Sequence, residues 1–154
     1  MKIVMLDAYT TNPGDLSWDF MNEYGEVTIY DRTASDKIIE RAIEADIIIT
    51  NKTPITKEII DCLPNLKFIA LMSTGYNVVD YMYLKEKNIP VSNIPSYSTD
   101  AVAQLVMSFI LELAMNVGLH SQSVKEGEWS ECADFCYWKT PLTELAGKTM
   151  GIVG

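Results

Sequence analysis

Short apolar runs, several of them β-branched, recur through the first hundred residues of this chain, and segments with helical spacing separate them. Residues 2–7 (Lys-Ile-Val-Met-Leu-Asp), 46–50 (Asp-Ile-Ile-Ile-Thr) and 66–71 (Leu-Lys-Phe-Ile-Ala-Leu) are too short for helices and too uniformly apolar for strands with one wet face. Strands of this kind belong to a parallel sheet covered on both faces. Residues 26–30 and 89–93 add two more strands. Pro13-Gly14-Asp15 opens a helix with Leu16 and Phe20 on one face. Ser35 caps a second helix, through residue 44, whose apolar face is Ile38, Ile39, Ala42 and Ile43. Residues 56–63 form a third helix ended by Pro64, and residues 79–86 a fourth with Asp80 at its cap. The expectation is an α/β fold on a five-stranded parallel sheet.

The rhythm changes after residue 93. Ser98 or Thr99 caps a long helix carrying Val102, Leu105, Val106, Phe109, Ile110, Leu113 and Val117. Residues 101–119 have membrane-spanning length, but Gln104, Ser108, Glu112 and Asn116 interrupt them at four-residue spacing. Each such step turns the helix by only about 40°, so the four make one polar stripe, and a central Glu makes insertion costly. The expectation is a mostly buried helix and no membrane partner. Gly118 either ends this helix or weakens it. Residues 120–146 lack periodicity and carry Trp129, Phe135, Tyr137 and Trp138, an aromatic arm that needs a surface to cover it. A last strand is expected over residues 148–153.

Composition narrows the function. The 154 residues hold 12 Lys and Arg against 21 Asp and Glu, a net charge of -9. Such a chain lacks, in sum, the basic surface that displaces counterions from phosphate, which argues against nucleic acid. Cys62, Cys132 and Cys136 are an odd set, and the one histidine, His120, does not lie beside the Cys132/Cys136 pair. No metal site is expected; three free thiols fit a reducing cytoplasm. No long apolar leader follows Met1.

In an open parallel sheet, ligands sit beyond the carboxyl ends of the strands. Three loops leave such ends here: residues 50–54 with Asn51 and Lys52, residues 72–77 with Ser73, Thr74 and Gly75, and residues 93–99. Gly75 would allow a tight turn and close backbone approach to a ligand, and neighbouring amides can form an anion-binding concavity. Lys52 would add positive charge. On spacing alone the alternative is equally open: Gly75 is only a turn, Lys52 a solvated lysine, and Asp7 either an acidic site residue or a loop cap. His120 has no evident partner and is not assigned a catalytic role.

At Ser73-Thr74-Gly75-Tyr76-Asn77-Val78-Val79-Asp80 the chain resembles the D-isomer-specific 2-hydroxyacid dehydrogenases. Residues 93–104 (Asn-Ile-Pro-Ser-Tyr-Ser-Thr-Asp-Ala-Val-Ala-Gln) resemble the family's entry to its interdomain helix. Glu126-Gly127-Glu128-Trp129 resembles its turn before the arm, and residues 145–154 the lead-in to its dinucleotide fingerprint. Asn51-Lys52 and residues 135–138 (Phe-Cys-Tyr-Trp) look most like the glycerate dehydrogenase or hydroxypyruvate reductase branch.

The resemblance implies a flavodoxin-like substrate domain over residues 1–98, an interdomain helix and arm over 99–146, and the first strand of a truncated Rossmann domain over 147–154. It implies a small 2-keto or 2-hydroxy acid held by Ser73, Thr74 and Gly75, with Asn51 and Lys52 lining the pocket and Trp138 closing it. It implies NAD, touched by Thr74, Val102 and Gly154, although the fragment itself is not expected to bind it well. The family's Arg, acidic residue and His belong beyond Gly154, so no catalytic residue is assigned and the chain alone is expected to be inactive. Exposed apolar surface on the arm and long helix implies a homodimer or higher assembly. The alternative is a non-catalytic dimerising or binding module left by gene truncation. A receiver or flavin-binding module fits less well, because Asp7 has no acidic neighbour and Thr10-Thr11-Asn12-Pro13-Gly14 is only a faint echo of a phosphate loop.

Overall fold

A computed structural model describes residues 1–153 and divides the chain into two compact units, residues 1–97 and the residues from Ser98 onward.

The first unit is an α/β sandwich. Strands β1 (Lys2–Met5), β2 (Glu26–Ile29), β3 (Ile47–Thr50), β4 (Phe68–Leu71) and β5 (Val91–Ser92) form one parallel sheet in the order β2-β1-β3-β4-β5. Ile3 pairs with Ile47, Ile48 with Ile69, and Ile69 with Val91. The expected five-stranded parallel sheet is the observed one, with each strand one to three residues shorter than its apolar run.

One face of the sheet holds the main core. Val4, Leu6, Ile48, Ile69 and Leu71 pack there with Ile38 and Ala42 of α1 (Ile38–Ala42), Ile60 of α2 (Lys57–Asp61) and Leu84 of α3 (Tyr81–Glu86). Each fully buried Ile or Leu contributes about 1.5–3 kcal/mol. Asp80 caps α3 as expected, accepting from the Tyr83 amide at 3.1 Å.

The other face departs from the expectation. The helix opened by Pro13 does not form; Asn12 instead folds residues 12–16 into a loop by accepting from the Gly14 and Leu16 amides and donating to the Leu16 carbonyl. A single 3₁₀ turn, Asp19–Glu23, follows, and it buries Met21 while Leu16 and Phe20 stay exposed. The buried cluster on this side is small, Met5, Ala8 and Met21, with Ile49 and Met72 partly buried against it. Within this unit the sheet is covered thoroughly on one face and thinly on the other. The helix read from Ser35 also begins as a 3₁₀ turn, and Ile39 and Ile43 point to solvent.

At the amino ends of the strands, Asp46 ties β1 to β3 and β4, accepting from the Lys2 amide and from Lys67 Nζ, each at 2.7 Å. These bonds hold its carboxyl below the usual range, the Lys67 bond most strongly.

The second unit is helical. Helix α4 (Thr99–Met115) ends at Asn116, whose φ of 47° is left-handed, and α5 (Val117–Lys125) departs at 61°. Gly118 therefore does not end the helix. It lies inside α5, and its amide donates to the Glu112 carboxylate. The polar stripe serves this bend, since Asn116 Nδ2 also donates to Thr140 Oγ1.

Helix α4 is not mostly buried: Ala114 is its one buried residue, and Leu113 is 81% exposed. No single described helix is long and apolar enough to cross a membrane; α4 and α5 together meet the length and composition, but as a bent pair. Helix α6 (Glu128–Glu131) opens the arm, which is knotted by buried Ser123 between Glu128 and the Tyr137 hydroxyl, with Lys139 paired to Glu128. Phe135 and Trp138 remain exposed.

The strand expected over residues 148–153 is absent. It has no neighbouring strand to satisfy its amides and carbonyls, and a lone strand is not stable in water. Gly154 lies outside the described residues.

Candidate functional site

Three loops leave the carboxyl ends of β1, β3 and β4, and the structure stitches them together. Ile55 and Val79 form a bridge between the segments after β3 and β4: the Ile55 amide donates to the Val78 carbonyl at 2.8 Å and the Asp80 amide to the Ile55 carbonyl at 3.1 Å. The segment after β1 joins through Asp7, Thr10 and Thr11. Asn51 Nδ2 donates to Thr10 Oγ1 at 2.9 Å, and Thr11 Oγ1 reaches the Met72 sulfur at 3.6 Å.

Asp7 resolves as the organiser of the β3 loop. Its buried carboxylate accepts three successive amides, Asn51 at 2.8 Å, Lys52 at 2.5 Å and Thr53 at 2.9 Å. A buried carboxylate is tolerated only when so bonded. The Lys52 side chain is exposed and has no carboxylate partner among the described residues.

The β4 loop has the opposite polarity. Every carbonyl from Ser73 to Gly75 has a donor: Ile94 N to Ser73 O at 3.0 Å, Asn93 Nδ2 to Thr74 O at 2.7 Å, and Ser73 Oγ to Gly75 O at 2.8 Å. Thr74 Oγ1 is held on the Ile94 carbonyl at 3.0 Å. The amides of Thr74, Gly75 and Tyr76 have no acceptor among the described residues. A run of unpaired amides with its carbonyls turned to other work is a concavity for an anion.

Gly75 does not have the left-handed φ that would require glycine. An added Cβ would stand 3.3 Å from Asn77 Oδ1, tighter than an ordinary contact, so that side chain would have to give by a few tenths of an ångström.

The structure thus brings Asn51, Lys52, Ser73, Thr74 and Gly75 to one end of the sheet, with Ser73 Oγ 3.5 Å from the Asn51 carbonyl. A cavity of about 250 Å³ adjoins it, lined by Tyr76, Tyr81, Val91, Ser92 and Asn93. A concavity of about 350 Å³ lies on the sheet surface near Lys2, Glu26, Thr28, Tyr30 and Glu44. Of its charges, Lys2 pairs with Glu44, and Arg41 lies over the Tyr30 ring.

Val102 and Trp138 belong to the second unit, both exposed, and Gly154 is outside the described residues. Sequence reasoning missed Thr10 and Asn93. Thr10 stood only in a faint echo of a phosphate loop, and Asn93 only at the head of the loop and family-like segment after β5, with no side-chain role assigned to either.

Both ring nitrogens of His120 are engaged: Nδ1 lies 2.9 Å from the Asn116 carbonyl, and Nε2 accepts the Lys139 amide at 3.1 Å. Among the described residues no group of three His, Cys, Asp or Glu could hold a metal ion, and the three cysteines are free. Among the described residues no strand runs into a glycine-rich turn of the kind that cradles a pyrophosphate, since residues 148–153 form no strand. What this chain's residues can do is bind and orient an anion.

Comparison with known proteins identifies the family. Residues 3–151 match the family described as D-isomer specific 2-hydroxyacid dehydrogenase, catalytic domain. A hydroxypyruvate reductase of Blautia hydrogenotrophica is 48% identical over 157 aligned residues, covering 100% of this chain and 49% of that protein. A glycerate dehydrogenase of Methylorubrum extorquens is 34% identical, covering 99% and 48%. The chain therefore spans about half the length of the curated relatives it matches.

Among solved structures, an acyclic imino acid reductase in complex with NADPH and D-Arg superposes with a TM-score of 0.69 at 32% identity, over 82% of this chain and 41% of that one. A D-lactate dehydrogenase from Aquifex aeolicus, complexed with NAD and lactic acid, shares the fold with a TM-score of 0.67 at 24% identity, over 86% and 39%. With nearly its whole length matched, this chain belongs to the D-isomer-specific 2-hydroxyacid dehydrogenase family.

Proposed function

We propose that this chain supplies the carboxylate-binding half of an NAD-dependent D-2-hydroxyacid dehydrogenase that reduces a small 2-keto acid such as hydroxypyruvate. The observation that carries this reading is the β4 loop: the carbonyls of Ser73, Thr74 and Gly75 are all occupied, while the amides of Thr74, Gly75 and Tyr76 are open. Those amides take the substrate carboxylate. Gly75 lets it approach the backbone, and the Lys52 charge draws the anion in. Asn51 lines the same pocket. The names of the relatives support hydroxypyruvate or glycerate as the substrate class.

At the β3 and β4 loops no described proton donor is oriented by a carboxylate, so this chain alone binds the acid without oxidising NADH. Three free thiols fit a cytoplasmic setting.

Titration of the 15N-labelled chain with D-glycerate tests the reading. Saturable shifts at Thr74, Gly75 and Tyr76, absent with the neutral methyl ester, are expected. Equal shifts with both ligands, or none with either, would sink it.

The exposed Phe109, Leu113 and Trp138 side chains support a second reading, in which the chain also self-associates as a dimer or larger assembly. Sedimentation across a concentration series checks it, and a monomer throughout excludes it.

A further inference from the structure

We infer that Asp7 is a positioning residue for this site: it holds the Asn51–Lys52 turn in its binding geometry from beneath. The inference rests on the reading that the open β4 loop binds a carboxylate.

Asp7 lies at the end of β1, 44 residues before Asn51, so nothing local requires the contact. Its two oxygens take three consecutive amides, more than a loop cap needs, and Thr53 has a second acceptor in Thr50 Oγ1 at 3.1 Å. The amides of Asn51 and Lys52, the two residues placed in the pocket, have no acceptor other than Asp7 among the described residues.

The same β1 exit also grips the Asn51 side chain. Asn51 Nδ2 donates to Thr10 Oγ1, which in turn lies 3.3 Å from the Asp7 carbonyl. Backbone and side chain of Asn51 are therefore fixed from one short segment, and the Asn51 carbonyl is set beside Ser73 Oγ. The Ser73 hydroxyl has one proton, and the 2.8 Å bond to Gly75 O claims it, so the turn rests against the loop without competing for that proton.

Charge gives this arrangement a second effect. A bare carboxylate beneath an anion site would repel the substrate, but here three amide dipoles point at it and spread its charge over the turn. An asparagine at position 7 offers one acceptor oxygen and turns an NH2 toward an amide donor. At least one of the three bonds is then lost, and the turn loosens.

The test compares the full wild-type chain with D7N and T10V, using D-glycerate as the probe and amide spectra, hydrogen exchange and thermal melting as readouts. D7N is expected to bind about tenfold more weakly or worse, on the scale of one charge-assisted hydrogen bond. It should lose exchange protection at Asn51 and Lys52 while its ligand-free Thr74–Tyr76 resonances stay in place. T10V, which removes an exposed hydroxyl, is expected to bind several-fold more weakly at an unchanged melting temperature; a merely structural role would lower the melting temperature and leave the affinity of the folded chain alone.

Wild-type affinity in D7N, despite lost protection at Asn51 and Lys52, would overturn the inference and leave the proposed function standing. If D7N does not fold, T10V decides, and undiminished affinity there overturns it. If the wild-type chain itself does not bind D-glycerate, the functional reading fails and the positioning role falls with it.

Discussion

Two loops at the same end of the sheet each present a row of backbone amides, and they differ in what answers them. The turn after β3 is answered from within: Asp7 fills it with three hydrogen bonds. The loop after β4 is answered by nothing among the described residues, although all of its carbonyls from Ser73 to Gly75 are occupied. The first arrangement is structural and the second receptive. Backbone amides form both, so the distinction lies in whether the chain supplies its own anion.

That contrast can be broken at four points. The largest effect is expected from Asp7→Ala, which strands amides in the filled turn and should cost about 2–4 kcal/mol in urea denaturation. A loss below about 0.5 kcal/mol would mean that water replaces the carboxylate freely.

Gly75→Ala acts on the receptive loop and should invert the pattern. The ordinary φ, and a clash confined to the end of the Asn77 side chain, limit the stability cost to about 1 kcal/mol. D-glycerate affinity should nevertheless fall by about tenfold, because the methyl stands where the carboxylate approaches the backbone.

Lys52→Met should weaken binding only a few-fold and flatten its dependence on salt, as expected for an exposed charge that attracts without direct pairing. Titrations at low and high ionic strength read this out.

The smallest effect concerns Asp46, a carboxylate at the opposite end of the sheet that is answered by a lysine and one amide. Its folded-state value is depressed, so its contribution is present above the unfolded carboxylate value of ~3.9 and is lost as the pH falls further. Asp46→Asn should remove that part of the acid-side decline in melting temperature and leave the neutral-pH affinity for D-glycerate unchanged.

Much of this was legible in the residues. The β-branched runs Ile47-Ile48-Ile49 and Phe68-Ile69-Ala70-Leu71 announced buried parallel strands, and loops leaving such strands are where ligands gather. Asp80 read correctly as a cap because its partner is three residues away. Asp7 stayed ambiguous because its partners lie 44–46 residues along the chain, and only the pairing of β1 with β3 brings them together.

The failures have similarly particular causes. Leu16 and Phe20 share a helical spacing, but Asn12 ties the preceding backbone into a loop before a helix can start. The polar stripe suggested one continuous helix, and it overlooked that an Asn tolerates left-handed φ well enough to end one at position 116. Residues 148–153 have a strand's composition and no strand beside them.

The committed carbonyls of the β4 loop also bear on how fast and how tightly a ligand is taken. Three hydrogen bonds hold Ser73, Thr74 and Gly75 in the receptive shape before any anion arrives. On the proposed reading, a carboxylate that binds this shape spends little on reordering Ser73–Gly75, and discrimination between acids at this loop falls on how quickly each one leaves.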